Sequence, residues 1–138
     1  MNAFVVDANV ALKWLIPEEG SLAAKALDTK KIFAPDFVLV ECTNAVWKKI
    51  QQQQLTQREA IEVVRALNNL PIKLFNSNEL LEGACELAIQ LNQTVYDCLY
   101  LALAIAYDTH LLTADKRFHK AVSKTTLGIH IQYLNGCQ

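Results

Sequence analysis

A three-layer α/β/α sandwich around a central, mainly parallel β-sheet of about five strands is the fold this sequence predicts, on three observations. Short apolar, β-branched runs alternate along the chain with longer segments of helical periodicity, the pattern of parallel strands joined by helices. Phe4-Val5-Val6 is apolar without a break, as in a strand covered on both faces. The segment 95–107 is apolar nearly all round, which marks a helix lying inside the molecule.

The first strand ends at Asp7, and Asn9 is placed to cap the helix that carries Val10, Ala11 and Leu12 inward. Pro17-Glu18-Glu19-Gly20-Ser21 reads as a turn, after which Leu22, Ala23, Ala26 and Leu27 give one apolar face to a second helix. Residues 30–34 form the next strand, Pro35 ends it, and Asp36 caps a long helix that fades into the solvated glutamines 51–54. Thr56 with Glu59 matches a capping box, opening a helix whose Ile61, Val64 and Leu67 face inward. Residues 71–75 supply a third strand; 76–78 cap a helix over 79–91, and Thr94 caps the buried one. With so short a turn between them, one of these two helices must run across the sheet. A strand at 110–113, a helix from Asp115 to about 122 and an edge strand at 129–133 complete a single domain, 1–138, without repeat or linker.

Composition narrows the function classes. The 138 residues, over half of them apolar, supply one core without needing a metal or disulfide to fold. A net charge of −1 excludes a uniformly basic nucleic-acid binder and leaves room only for a local basic patch. Cys42, Cys85, Cys98 and Cys137 are widely spaced, with neither a Cys-x-x-Cys pair nor a zinc pattern, so they read as reduced and mostly buried thiols. His110, His119 and His130 have no ligand spacing. No basic segment precedes the first apolar run, and 98–107 falls short of the ~20 residues that span a bilayer. A soluble, cytoplasmic protein without membrane contact is the expectation.

Four acidic residues return to one edge of the predicted sheet. Asp7 and Asp115 each follow a strand, Glu41 lies early in the helix after the second strand, and Asp97 opens the helix whose far end feeds the fourth. Each has a structural reading as well. Asp115 fits an N-cap, Asp97 a capping box with Thr94, and Asp7 a turn. Glu41 is harder to dismiss, because Phe37, Val38, Leu39, Val40 and Cys42 surround it and a buried carboxylate needs a cation. Four converging carboxylates repel one another unless a divalent ion neutralises them, and oxygen-only ligands favour Mg²⁺ or Mn²⁺. The expected chemistry is metal-dependent hydrolysis of phosphodiesters.

With the four acids in order, the chain resembles the PIN-domain ribonucleases, and closely the VapC-type toxins of prokaryotic toxin-antitoxin pairs. The resemblance rests on Val6-Asp7-Ala8-Asn9-Val10, on Leu39-Val40-Glu41-Cys42-Thr43-Asn44, on Tyr96-Asp97-Cys98-Leu99-Tyr100-Leu101-Ala102-Leu103-Ala104, and on Thr113-Ala114-Asp115-Lys116-Arg117-Phe118. It implies a PIN-like fold and an endoribonuclease that inhibits translation, with Asp7, Glu41, Asp97 and Asp115 as catalytic metal ligands for Mg²⁺ or Mn²⁺. Asn9 and Thr113 would support them. It further implies a homodimer, an RNA substrate and a cognate antitoxin protein. Some relatives carry another acid just after the last motif aspartate, where this chain has Lys116 and Arg117, so a second metal site has less support here.

Among the cations Lys13, Lys48, Lys49, Lys116 and Arg117, the last two lie nearest an acid in sequence and are the expected contacts to RNA phosphates. Trp14 and Trp47 are candidates for a dimer surface, with core burial expected of at least one. A dinucleotide enzyme is disfavoured because no Gly-x-Gly-x-x-Gly follows the first strand. A haloacid-dehalogenase-like phosphatase would need an acid at Asn9 and a hydroxyl at Ala11, and a phosphoaspartyl receiver would need an acidic pair before the first turn. The rival from another class is a non-catalytic PIN-like protein-binding module, which has no need of four acids.

Overall fold

The computed structural model describes residues 3–17, Ser21, Ala24 and 31–134. The turn expected at 18–20, the helix expected on Leu22, Ala23, Ala26 and Leu27, and Cys137 lie outside these residues.

Five strands form one sheet: β1 (Phe4–Val6), β2 (Ile32–Pro35), β3 (Ile72–Phe75), β4 (Leu111–Thr113) and β5 (Ile131–Tyr133). Their order is β3-β2-β1-β4-β5, and every neighbouring pair is parallel. Val5 and Val6 are fully buried at the centre, as an unbroken apolar strand requires. From β1 the chain winds outward through β2 to β3, then returns to the other side of β1 for β4. The carboxyl ends of β1 and β4 therefore flank the point where winding reverses, the place where open α/β sheets leave a crevice.

The helices are α1 (Ala8–Leu12), α2 (Phe37–Gln51), α3 (Gln57–Leu67), α4 (Leu81–Leu91), α5 (Val95–Ala106) and α6 (Lys116–Ser123). Seven consecutive residues of α5, Cys98 to Ala104, are buried, and the helix packs on β1, β2 and β4. The crowded pair of helices is resolved by stacking: α4 lies mainly against α5 and leaves the sheet to it. Asn92 makes the reversal between them in the left-handed region at φ 53°, where asparagine is tolerated. On the other side α1 and α2 pack together, with α3 against α2, and α6 closes on β5. The three-layer α/β/α reading holds.

Several local expectations change. The first helix is capped by Asp7, which accepts from the Val10 N–H at 2.9 Å, while Asn9 sits inside the helix and exposed. Pro35 is the last residue of β2 instead of following it. Asp36 holds the cap position of α2 but turns its carboxylate to Ser77, accepting from that hydroxyl at 2.6 Å. The Ser77 oxygen in turn accepts from the Phe37 N–H at 3.0 Å, so α2 is capped from 40 residues away. In α3 the capping box of Thr56 and Glu59 forms in both directions. The inner face of α3, however, is Ala60, Val63, Val64 and Leu67, and Ile61 is 47% exposed. A 3-10 turn (Ser77–Leu80) precedes α4 and another (Thr126–His130) precedes β5. Cys42 and Cys98 are buried free thiols, whereas Cys85 is exposed. Trp14 packs against the core and Trp47 is 55% exposed.

Candidate active site

A cleft of about 590 Å³ opens at the carboxyl edge of the sheet, and Asp7, Glu41, Asp97 and Asp115 all line it. The sequence brings them there by separate routes. Asp7 terminates the central strand, Glu41 faces inward from the second turn of α2, Asp97 lies in the first turn of α5, and Asp115 caps α6 just beyond β4.

Each acid has its own local support. Asp7 accepts from the Thr113 hydroxyl at 2.6 Å, and that same oxygen accepts from the Asp115 N–H at 3.0 Å. Thr113 thus ties the end of β1 to the end of β4 across the crevice. Asp115 Oδ1 accepts from the Phe118 N–H at 3.0 Å. Glu41 accepts from the hydroxyl of Tyr100, a residue buried in α5 one turn beyond Asp97. Asp97's N–H donates to the Thr94 hydroxyl at 3.2 Å, fixing the start of α5.

The acids feel one another. Burial raises the Asp7 acid from 3.8 to about 6, against the lowering effects of the Thr113 hydroxyl and backbone donors at Val10 and Ala114, with Asp115 adding to the rise. Burial likewise raises Glu41; the Tyr100 hydroxyl and Lys48 oppose the rise, and Asp97 and Asp7 add to it. Asp97 is raised by burial and by Asp115, and lowered by Thr94 and Arg117. Tyr100 is pushed up by burial and then by Glu41, which keeps its hydroxyl a donor.

The donor set is carboxylate oxygen throughout, the chemistry of a hard divalent cation, and it is short of positive charge. Among the described residues no three His, Cys, Asp or Glu side chains stand as a ready-made ligand group. The carboxylates of Asp7, Glu41 and Asp115 are instead drawn toward protein donors. The fit to Mg²⁺ or Mn²⁺ thus lies in the ligand type, the shared cleft and the raised acids.

Of the other residues singled out in the sequence, Asn9 lines the cleft and Thr113 supports it from beneath. Lys116 and Arg117 are exposed at the start of α6, and Arg117 holds Asp97 down. Lys48 is the cation in the cleft wall. Sequence reasoning missed Tyr100 and the ring pair of Phe37 and Tyr96. Asp97-x-x-Tyr100, one helical turn, is the signal that carried the first. The histidines lie outside the cleft: His130 Nδ1 is 2.8 Å from the Thr109 carbonyl, and His110 stacks on Phe4. Among the described residues no helix is long and apolar enough to cross a membrane.

A family model for the PIN domain matches residues 4–124. Ribonuclease VapC3 of Pyrobaculum aerophilum is 31% identical over 117 residues, which cover 82% of this chain and 89% of that protein. Ribonuclease VapC12 of Mycobacterium tuberculosis is 27% identical over 114 residues, covering 82% and 87%. The crystal structure of PAE2754 from Pyrobaculum aerophilum superposes with a TM-score of 0.70 over 94% of this chain and 90% of that one. At 19% identity, that likeness speaks for the fold alone.

Proposed function

The chain belongs to the PIN-domain family, and from that premise we propose that it is an endoribonuclease that hydrolyses RNA phosphodiester bonds with the help of Mg²⁺ or Mn²⁺. The observation that carries this reading is the shared cleft: four carboxylates line it, and one is enclosed far enough to be raised to about 6. In this reading Asp7, Glu41, Asp97 and Asp115 hold the ion. Such an ion supplies a hydroxide source near neutral pH and charge to stabilise the leaving oxygen. Thr113 holds the Asp7 carboxylate in place at the edge of the cleft, and Tyr100 does the same for Glu41. Asn9 offers a polar side chain at the cleft wall. Lys116 and Arg117 meet backbone phosphates of the RNA as it leaves the cleft, and Lys48 meets one inside it.

The ribonuclease names of the relatives support the RNA substrate. With the VapC resemblance they also support a toxin role, in which the enzyme inhibits translation in the cytoplasm and is restrained by a cognate antitoxin protein. A homodimer belongs to the same proposal.

The test is cleavage of total cellular RNA by the wild type and by Asp7→Asn, each with Mg²⁺, with Mn²⁺ and with chelator. Discrete products that need metal and vanish in the variant are expected. Equal cutting by both proteins would refute the site. No cutting, together with a melting temperature that ignores millimolar metal, would replace the enzyme with a protein-binding module.

A further inference from the structure

Two aromatic rings lie nearly parallel and offset in the wall of the cleft. Phe37, the first residue of α2, and Tyr96, in the first turn of α5, stack with centroids 5.4 Å apart and planes 11° from parallel. They are held unequally. Phe37 packs against the core and its N–H is fixed on Ser77, whereas Tyr96 is 59% exposed. The stack is therefore anchored at one end and open at the other, directly beside Asp97.

The wall formed by α2 continues the pattern. Phe37, Glu41, Asn44 and Lys48 all line the cleft at helical spacing, presenting in turn an aromatic ring, a carboxylate, an amide and a cation. Only the carboxylate is used by an ion site. The other three match the parts of a nucleotide: a flat base, a base edge with donors and acceptors, and a phosphate. A purely apolar occupant would leave the cation and the amide unused, and an acidic peptide would leave the exposed ring uncovered. A base inside a duplex has both faces covered by its stacked neighbours, so an unpaired, unstacked one is what can extend the stack.

We propose that Tyr96, backed by Phe37, is a platform on which an unpaired base of the RNA stacks, with Asn44 at the base edge and Lys48 at a flanking phosphate. This assignment rests on the ribonuclease reading and deepens it. Tyr96 selects which nucleotide stands at the acids, since a base and its own phosphate are separated by one sugar.

The probe is a library of RNA hairpins with a fixed stem and a random ten-nucleotide loop, some carrying 2-aminopurine in the loop. Binding is read by anisotropy and 2-aminopurine quenching in chelator, and cutting is read separately with Mn²⁺. The proteins are the wild type, Tyr96→Ala, Tyr96→Phe and Asp7→Asn. Stacking of one base predicts that Tyr96→Ala weakens loop binding about 10- to 100-fold and loses the quenching, while Tyr96→Phe stays near wild type. Asp7→Asn should keep the quenching and lose the cutting. Cuts should fall in the loop.

Tyr96→Ala binding and quenching like the wild type, or cuts in the stem, would overturn the platform and leave the nuclease standing. Quenching that depends on Tyr96 without any cutting would keep the platform and sink the nuclease. A wild type that neither binds nor cuts would end both.

Discussion

Removing the charge of Asp7 should make the metal-free protein more stable at neutral pH while abolishing its activity. The native acid titrates near 6 and an unfolded aspartate near 3.8, so between these values the folded protein holds more protons than the unfolded one. Stability then falls as pH rises through this window. The charged Asp7 costs the fold up to about 3 kcal/mol above pH 7, and almost nothing below about pH 3. Asp7→Asn escapes the cost while its amide oxygen still accepts from the Val10 N–H, although it no longer accepts the Thr113 proton, a loss of about 1 kcal/mol. A net gain of about 1–2 kcal/mol at pH 7.5 follows. Urea unfolding in chelator at pH 4.5, 6 and 7.5 measures it. The wild-type curve should fall more steeply with pH than the variant's, and added Mg²⁺ should restore the wild type alone, by about 2.7 kcal/mol at a hundredfold excess over Kd. A variant equally destabilised at every pH would refute the argument, because the carboxylate would then be a structural cap and not an enclosed charge.

Tyr100→Phe keeps the ring in the core and removes the donor to Glu41. Mn²⁺ binding measured by calorimetry should weaken by about 10- to 150-fold, a hydrogen bond to a charged group being worth roughly 1.5–3 kcal/mol, and unchanged affinity would show that Glu41 needs no such support. Lys48→Ala should lower the salt dependence of RNA binding by about one ion, and Arg117→Ala should do so too if its exposed side chain meets phosphate. Thr56→Ala removes the hydroxyl that accepts from the Glu59 N–H in the capping box on α3 and keeps the backbone arm to the Glu59 carboxylate; about 1 kcal/mol of stability should go, with RNA cleavage untouched.

The parts of this fold legible in the sequence are those set by neighbours in the chain. The apolar run before Asp7, the capping box at Thr56 and the all-round apolarity of α5 each report a local cause, and each element forms as read. The arrival of four acids in one cleft was legible because strand-then-helix alternation fixes which ends share an edge. What escaped reading depends on partners far away in sequence. Asp36 was available as a cap by every local rule, yet Ser77 takes its carboxylate and caps the helix in its place. Tyr100 reaches Glu41 across 59 residues, and amid its apolar neighbours only the one-turn spacing from Asp97 marks it. Ile61 follows helical spacing but loses its place in the core to the smaller Ala60, which is buried. Lys48 lies two turns from Glu41 on the same helix, closer in space to the acids than sequence adjacency suggested.

The position of β1 in the sheet governs when the cleft can exist. The strand is made first, yet one of its two neighbours, β4, is made about a hundred residues later, roughly 5–20 s at the usual pace of a ribosome. Until then Asp7 has no Thr113 to orient it and no Asp115 beside it. A nascent chain stopped before 111 carries three of the acids on a sheet whose central strand is open along one side. Any chemistry in this cleft therefore switches on only when nearly the whole of the described sheet has been synthesised and paired.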